Sequence, residues 1–149
     1  MTEFITYSPA ETEALGAEFA RRLGGKKLVG FIGELGAGKT VFIRGMAREL
    51  GYSGRVTSPT FALVNEYREN GKLVMCHFDL CRLTSDELED IGWYDYLASG
   101  ALCVAEWADN ALCEFSADAV IVTVTGSGES TRTITIENID WSKNEASCI

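Results

Sequence analysis

Residues Gly33-Glu34-Leu35-Gly36-Ala37-Gly38-Lys39-Thr40 satisfy the spacing G-x-x-x-x-G-K-[ST] in full. That spacing is suited to capturing phosphate. Its glycines let successive backbone N–H groups turn inward around a β-phosphate at a helix N-terminus, its lysine ammonium spans the β and γ oxygens, and its threonine hydroxyl is a ligand for Mg²⁺. Here those last two groups are Lys39 and Thr40. Such a loop also needs an acid to orient the metal and a group that senses the γ-phosphate. Asp79 and Glu106 each end an apolar strand pattern, which places them beyond the carboxyl edge of a sheet, where α/β proteins hold ligands. Leu102, Cys103, Val104 and Ala105 give the central-strand pattern before Glu106, so Glu106 is assigned to the metal. Asp79 is then a switch acid that holds Mg²⁺ through water or orients the attacking water.

Three further residues belong to this set. Thr60, in the loop Thr57-Ser58-Pro59-Thr60-Phe61, fits the hydroxyl that contacts metal or γ-phosphate between the phosphate-loop helix and the next strand. Arg132 is in register with Ile134 and Ile136 rather than with Thr133 and Thr135, and a guanidinium on an apolar face calls for an anion, either a nucleotide phosphate or an Asp or Glu. His77 is two residues from Asp79 and shares its face, while Phe78 and Leu80 occupy the opposite one. A lone histidine in that position is read first as a satisfied structural group.

The elements that must position these residues follow from local signals. Ser8 and Pro9 open a helix carrying Leu15, Phe19, Ala20 and Leu23 at helical spacing, and Gly24-Gly25 ends it. Leu28, Val29, Phe31 and Ile32 form a buried-strand run before the glycine-rich loop. The helix after the loop points Phe42, Ile43, Met46, Ala47 and Leu50 inward and stops at Gly51. Phe61–Tyr67 and Lys72–Leu80 read as an antiparallel pair across Asn70-Gly71. Thr84 or Ser85 caps another helical segment, with Leu88 and Ile91 facing in. Ala101–Trp107 is an apolar strand, and Ala119–Val124 with Arg132–Glu137 forms a hairpin across Gly126-Ser127-Gly128. The expected architecture is α/β, a single P-loop NTPase domain over residues 1–140 with a mixed parallel and antiparallel sheet flanked by helices. Residues 141–149 read as a C-terminal tail.

Length and composition agree with that expectation. The chain has 149 residues, 46% hydrophobic and 23% charged, enough to bury roughly two-thirds of its unfolded surface in one core. Thirteen Lys and Arg against 22 Asp and Glu give a net charge of −9, which argues against a free-standing nucleic-acid or membrane binder. The charge is uneven: Arg21 to Arg55 holds eight basic residues and two acids, so a small anionic ligand favours that segment. Five cysteines, Cys76, Cys81, Cys103, Cys113 and Cys148, lack any C-x-x-C pair and read as reduced thiols. With neither a signal-peptide pattern nor an apolar run of membrane length, the expected location is cytoplasmic.

Taken with the P-loop, the motifs Ser58-Pro59-Thr60-Phe61, Leu63-Val64-Asn65-Glu66-Tyr67, His77-Phe78-Asp79-Leu80-Cys81-Arg82 and Glu106-Trp107 resemble the TsaE family from about Ser8 to Glu137. The resemblance implies a small bacterial ATPase required for threonylcarbamoyladenosine on tRNA, acting with the TsaB and TsaD proteins and reaching tRNA only through that complex. It implies weak, partner-stimulated hydrolysis of ATP to ADP and phosphate. It further implies ATP on Glu34 to Thr40, Mg²⁺ on Thr40 and Glu106, switch roles for Thr60 and Asp79, and Trp107 beside the nucleotide. Gly33, Val41 and Arg132 complete the nucleotide-contacting set; Val41 stands where the family carries a second Thr, and Cys81 where it carries Tyr. The family pattern also brings an N-terminal polar segment, here Ser8 to Thr12, towards the nucleotide.

A GTPase would need N-K-x-D and D-x-x-G, and neither occurs. A small-molecule P-loop kinase would need an acceptor pocket and an arginine-bearing lid, for which no insertion of suitable length is free. The other alternative is a binding module in which ATP sets a conformation without productive hydrolysis.

Overall fold

A computed structural model of the chain describes residues 1–33, 38–59, 64–127 and 129–141. Strand β1 (Thr2–Thr6) leads into helix α1 (Pro9–Arg21), whose N-cap Ser8 is extended. The Ser8 hydroxyl accepts from the Glu11 amide at 3.2 Å, and the Glu11 carboxylate accepts from the Tyr7 amide at 2.7 Å. This reciprocal cap, with Pro9 in the first turn, starts the helix where the sequence calls for it. Strand β2 (Leu28–Gly33) and helix α2 (Lys39–Glu49) follow. Then come the hairpin β3 (Val64–Glu69) and β4 (Lys72–Asp79), two 3₁₀ turns at Ser85–Glu87 and Glu89–Ile91, and the short helix α3 (Trp93–Ala98). Strand β5 (Leu102–Glu106), a 3₁₀ stretch at Ala108–Glu114, and the hairpin β6 (Val120–Ser127) with β7 (Thr131–Glu137) complete the elements among the described residues.

The seven strands form one sheet in the order β1-β7-β6-β2-β5-β4-β3. Strands β6, β2, β5 and β4 run parallel; β7 on one flank and β3 on the other run against them, and the edge strand β1 pairs antiparallel with β7. The fold is therefore the mixed α/β sheet flanked by helices that the sequence implies. One face is covered by α1 and α2 over an aromatic core in which Phe42 packs on Phe19 and Phe31 at ring-centroid distances of 5.3 and 5.7 Å. The other face is covered by the 3₁₀ turns and α3, with Trp93 against Phe78 at 4.9 Å. Among the described residues no helix is long and apolar enough to cross a membrane. Cys76, Cys81, Cys103 and Cys113 are free thiols.

Helices α1 and α2 meet backbone to backbone. A Cβ on Gly16 would lie 2.1 Å from the Phe42 carbonyl oxygen, and one on Gly45 would lie 2.0 Å from the Glu13 carbonyl oxygen. Neither obstacle is a side chain that can rotate away, so the helices themselves must separate. Gly45→Ala is expected to lower stability by about 1–3 kcal/mol from overpacking, partly offset by the better helix propensity of Ala. Thermal denaturation checks this, and an unchanged or raised Tm would contradict the close crossing.

Four local expectations are corrected. Strand β1, not anticipated, pairs antiparallel with β7; its inward Phe4 rests on Trp141 at 4.8 Å, while Ile5 stays half-exposed. Leu50 caps α2 and is 38% exposed instead of facing the core. The segment after Thr84 keeps its cap, with Thr84 and Glu87 bonding reciprocally, but forms 3₁₀ turns in place of a helix. Asp86, Glu87, Glu89 and Asp90 would repel one another at i, i+3 and i, i+4 on an α-helix, and Gly92 breaks the run at φ 80°. Finally, Gly126 and Ser127 are paired with Arg132 and Thr131, so the terminal turn lies later than Gly126-Ser127-Gly128. The expected strand residues Phe61–Leu63 and the tail after Trp141, with Cys148, lie outside the described residues.

Candidate functional site

The connection from β2 to α2 is shaped by two glycines. A Cβ on Gly33 would lie 2.3 Å from the Val124 carbonyl oxygen, so only glycine lets the end of β2 lie this close to β6. Gly38 is the N-cap of α2 at φ 98°, a left-handed conformation that glycine adopts at little cost. The cap makes no side-chain hydrogen bond, and the first turn of α2 carries no acid. The amide end of the helix dipole is thereby left favourable to an anion. Glu34, Leu35, Gly36 and Ala37, assigned above to the nucleotide, lie outside the described residues, as does Thr60.

Lys39 and Thr40 stand on the first turn of α2 and face the end of β5. Lys39 is 4% exposed; its Nζ donates to the Gly33 carbonyl at 2.7 Å, lies 3.9 Å from Glu106 Oε1 and sits 4.5 Å from the centre of the Trp107 ring. Trp107 follows β5 with φ 60°, an uncommon conformation for a bulky residue, which turns the chain immediately after Glu106. Thr40 Oγ1 is 2.8 Å from Ser58 Oγ, and Ser58 Oγ donates to Glu106 Oε2 at 3.0 Å. Since Ser58 gives its one proton to the carboxylate, Thr40 donates to Ser58.

Glu106 has a second partner on the same oxygen, His77 Nε2 at 2.7 Å. His77 is fully buried, and its Nδ1 lies 2.7 Å from the Tyr67 hydroxyl, which donates to the Thr57 carbonyl at 3.0 Å. Burial pushes the Glu106 carboxyl up, but the hydrogen bond and charge of His77, the Ser58 hydroxyl and the Lys39 ammonium outweigh it and hold the group below its ordinary value. Glu106 is therefore an acceptor only, and His77 Nε2 carries the hydrogen between them. Burial pushes the Tyr67 phenol up to about 12, so its hydroxyl keeps its proton.

Asp79 pairs in register with Glu106 across β4 and β5, which sets the two acids side by side at the carboxyl edge of the sheet. Its Oδ1 accepts from the Cys81 amide at 2.9 Å. Arg132 lies across the N-terminus of α2, with its Nε 3.5 Å from where a Gly38 Cβ would stand, and donates to the carbonyls of Thr131 and Glu129 at 2.8 and 3.2 Å. Pro9, Thr12, Gly38, Val41, Glu129, Ser130 and Arg132 line a cleft beside it, so the N-terminal segment does reach this end of α2.

The structure thus brings Gly33, Gly38, Lys39, Thr40, Glu106 and Trp107 into one group, with Asp79 at its edge and Val41 and Arg132 on the adjoining cleft. From the Thr57–Phe61 loop, in which the sequence singles out Thr60, Ser58 bridges Thr40 and Glu106. His77, expected to share the face of Asp79 and to be a satisfied structural group, is buried on β4 with both ring nitrogens partnered, and the partner not anticipated is Glu106. Tyr67 received no role.

Hard oxygen donors suit Mg²⁺, which needs few protein ligands when phosphates and waters supply the rest. Thr40 and Glu106 fit that requirement: one oxygen of each lies within 3.0 Å of the same Ser58 hydroxyl, so the two converge on a single small volume.

Comparison with known proteins gives a consistent result. A family model described as "Threonylcarbamoyl adenosine biosynthesis protein TsaE" matches residues 6–134. The tRNA threonylcarbamoyladenosine biosynthesis protein TsaE of Bacillus subtilis is 34% identical over 130 residues, covering 87% of this chain and 81% of that one. The protein of the same name from Treponema pallidum is 32% identical, covering 89% and 97%. The Haemophilus influenzae protein of that name is 47% identical over 78 residues, a match that spans 52% of this chain and 49% of the relative. The crystal structure of Bacillus subtilis YdiB superposes with a TM-score of 0.70 at 27% identity, covering 93% of this chain and 86% of that one. With the match running from the end of β1 into β7, and so across every residue of the site, the chain belongs to the TsaE family.

Proposed function

We propose that this protein is an ATP-binding and ATP-hydrolysing subunit needed for threonylcarbamoyladenosine modification of tRNA, and that it couples hydrolysis to turnover of a complex with the TsaB and TsaD proteins. The observation that carries the reading is the convergence of Lys39, Thr40 and Glu106 at the uncapped N-terminus of α2. Mg²⁺ held by Thr40 and Glu106 would neutralise charge developing on the β and γ phosphate oxygens. Lys39, now bonded to the Gly33 carbonyl, has its ammonium within reach of the same region and exchanges that carbonyl for phosphate oxygens. Trp107 shields Lys39 on one side, which keeps the ammonium weakly hydrated and strengthens its pull on an anion. Asp79, beside Glu106 at the edge of the sheet, would orient the attacking water. Arg132 and the cleft between Thr12 and Val41 supply the remaining contacts of the nucleotide.

The two acids should then behave differently. Glu106→Ala is expected to remove most of the Mg²⁺ dependence of ATP binding. Asp79→Ala is expected to slow hydrolysis by about a hundredfold, the size of a lost alignment of the reacting groups, while ATP affinity stays within a few-fold. Calorimetry in Mg²⁺ and in EDTA, with turnover measured beside it, checks the division; identical profiles for the two variants would refute it. The proposal as a whole is tested by single-turnover ATP hydrolysis with and without the TsaB and TsaD proteins. Faster hydrolysis in their presence supports it. Binding without hydrolysis under either condition would favour a conformational module, and fast hydrolysis by the lone chain would favour a small-molecule kinase.

A further inference from the structure

Resting on the nucleotide–Mg²⁺ reading above, we propose that His77 is the positioning residue of Glu106, and that through Tyr67 it ties this carboxylate to the loop carrying Thr57 and Ser58. The chain of contacts is closed. From Glu106 Oε2 one arm runs through Ser58 Oγ at 3.0 Å, and the other through His77 Nε2 at 2.7 Å, Nδ1 to the Tyr67 hydroxyl at 2.7 Å, and on to the Thr57 carbonyl at 3.0 Å. Thr57 and Ser58 are adjacent, so both arms end on the same stretch of backbone. His77 is fully buried and Tyr67 is 3% exposed, so water does not compete for these bonds.

The geometry divides the labour on the carboxylate. His77 and Ser58 both occupy Oε2, whereas Oε1 is the oxygen turned towards Lys39 at 3.9 Å. A carboxylate on a flexible side chain would otherwise rotate about its last torsion and exchange its oxygens. The ring on β4 is fixed by strand pairing beneath it and by Tyr67 beyond it, so it sets which oxygen faces the phosphate side. Partners of metal ligands act in this way generally, and their removal costs about tenfold to a hundredfold in metal affinity. Tyr67 carries the constraint outward: a shift of the Thr57–Ser58 backbone pulls on both arms, so loop position and carboxylate orientation are coupled.

Two polar substitutions separate a positioning role from a merely structural one. A glutamine amide at position 77 can reach the site of Nε2 and donate to Glu106, while an asparagine amide reaches only the Nδ1 site and the Tyr67 hydroxyl. ATP affinity is measured by calorimetry for wild type, His77→Gln, His77→Asn and Tyr67→Phe, each at saturating Mg²⁺ and in EDTA, with Tm of the nucleotide-free proteins alongside. His77→Asn is expected to lose about tenfold or more of the gain that Mg²⁺ confers, with EDTA affinity within about twofold of wild type; His77→Gln is expected to keep most of the gain. Tyr67→Phe, which frees the ring without removing it, is expected to lose about threefold, less than a direct partner of the metal ligand. Equal behaviour of the Asn and Gln variants, or losses of the same size in EDTA and Mg²⁺, would overturn the assignment. Should the Asn variant fail to fold, an undiminished Mg²⁺ gain in Tyr67→Phe would overturn it. Absence of any Mg²⁺ gain in wild type is a different failure, which refutes the nucleotide–Mg²⁺ reading itself.

Discussion

Lys39→Ala should bind ATP–Mg²⁺ about thirtyfold to several thousandfold more weakly than the parent, the range for truncating one partner of a buried charge pair. Three features place it towards the strong end. Lys39 is 4% exposed, so little water replaces the lost ammonium at the phosphates. The position is held by the Gly33 carbonyl at 2.7 Å and the Trp107 ring at 4.5 Å, so the ammonium meets its ligand without first being ordered. Its loss also removes from Glu106, 3.9 Å away, a positive charge on the side that faces an incoming polyanion. Calorimetry with ATP–Mg²⁺ measures the change, and Lys39→Arg is a useful companion because it retains charge but replaces a point ammonium with a planar fork. Parent-like affinity in Lys39→Ala would refute the phosphate-cradle assignment. Because Lys39 donates to the carbonyl at the end of β2, a Tm measurement on the free protein is needed beside the affinity to show that α2 is still docked.

Much of this site is legible in the sequence because its parts are adjacent or end the same kind of element. The spacing from Gly33 to Thr40 carries its own backbone requirements, visible in the left-handed Gly38 and the close approach at Gly33. Asp79 and Glu106 end two strands that prove to be parallel neighbours in register, so marking strand ends was enough to pair them. Tyr67 shows what was not legible. A two-residue turn at Asn70-Gly71, followed without interruption, would set Tyr67 opposite Val74, on the face that does not carry His77. The ladder instead slips between Arg68 and Tyr67, so Tyr67 pairs with Met75 and reaches the His77 face. One extra residue in one strand reverses which face a side chain takes, and no periodicity announces it. Strand β1 escaped for a related reason: it is an edge strand defined by pairing with β7, more than a hundred residues later, and its one apolar position on the core face, the partly buried Phe4, gives no repeat to detect.

The network around Glu106 also bears on how the site changes when nucleotide arrives. Ser58 now bridges Thr40 and Glu106, the two groups assigned to Mg²⁺. Coordination by Thr40 Oγ1 would compete with its bond to Ser58, while the Ser58 bond to Glu106 Oε2 can persist with Oε1 turned towards the phosphate side. Occupancy of the site and the position of the Thr57–Ser58 backbone are thereby linked by short, part-buried bonds. This is the kind of element that a bound partner can bias, because a few hydrogen bonds separate its arrangements.

That link motivates the second large expected effect, on the proposed coupling to the TsaB and TsaD proteins. With a net charge of −9, the isolated chain should bind tRNA negligibly at physiological salt, since few phosphates could be neutralised and few counterions released. Its route to tRNA chemistry is then through protein contacts. Alone, it should also hydrolyse ATP slowly: Asp79, the acid proposed to orient the attacking water, spends one oxygen on the Cys81 amide. Docking should order that side and raise turnover by at least about tenfold, a modest value beside the gains seen when a partner completes a phosphoryl-transfer site. Lys39→Ala should abolish multiple-turnover tRNA modification by the reconstituted system even where the complex still assembles, because the cycle would lose the step that hydrolysis drives. Assembly is read by sedimentation and modification by nucleoside analysis of the tRNA, in the same samples. Full multiple-turnover modification with the Lys39 variant would break the coupling outright. Modification that stops after a single turnover, with assembly intact, is the outcome that ties ATP hydrolysis to resetting the complex.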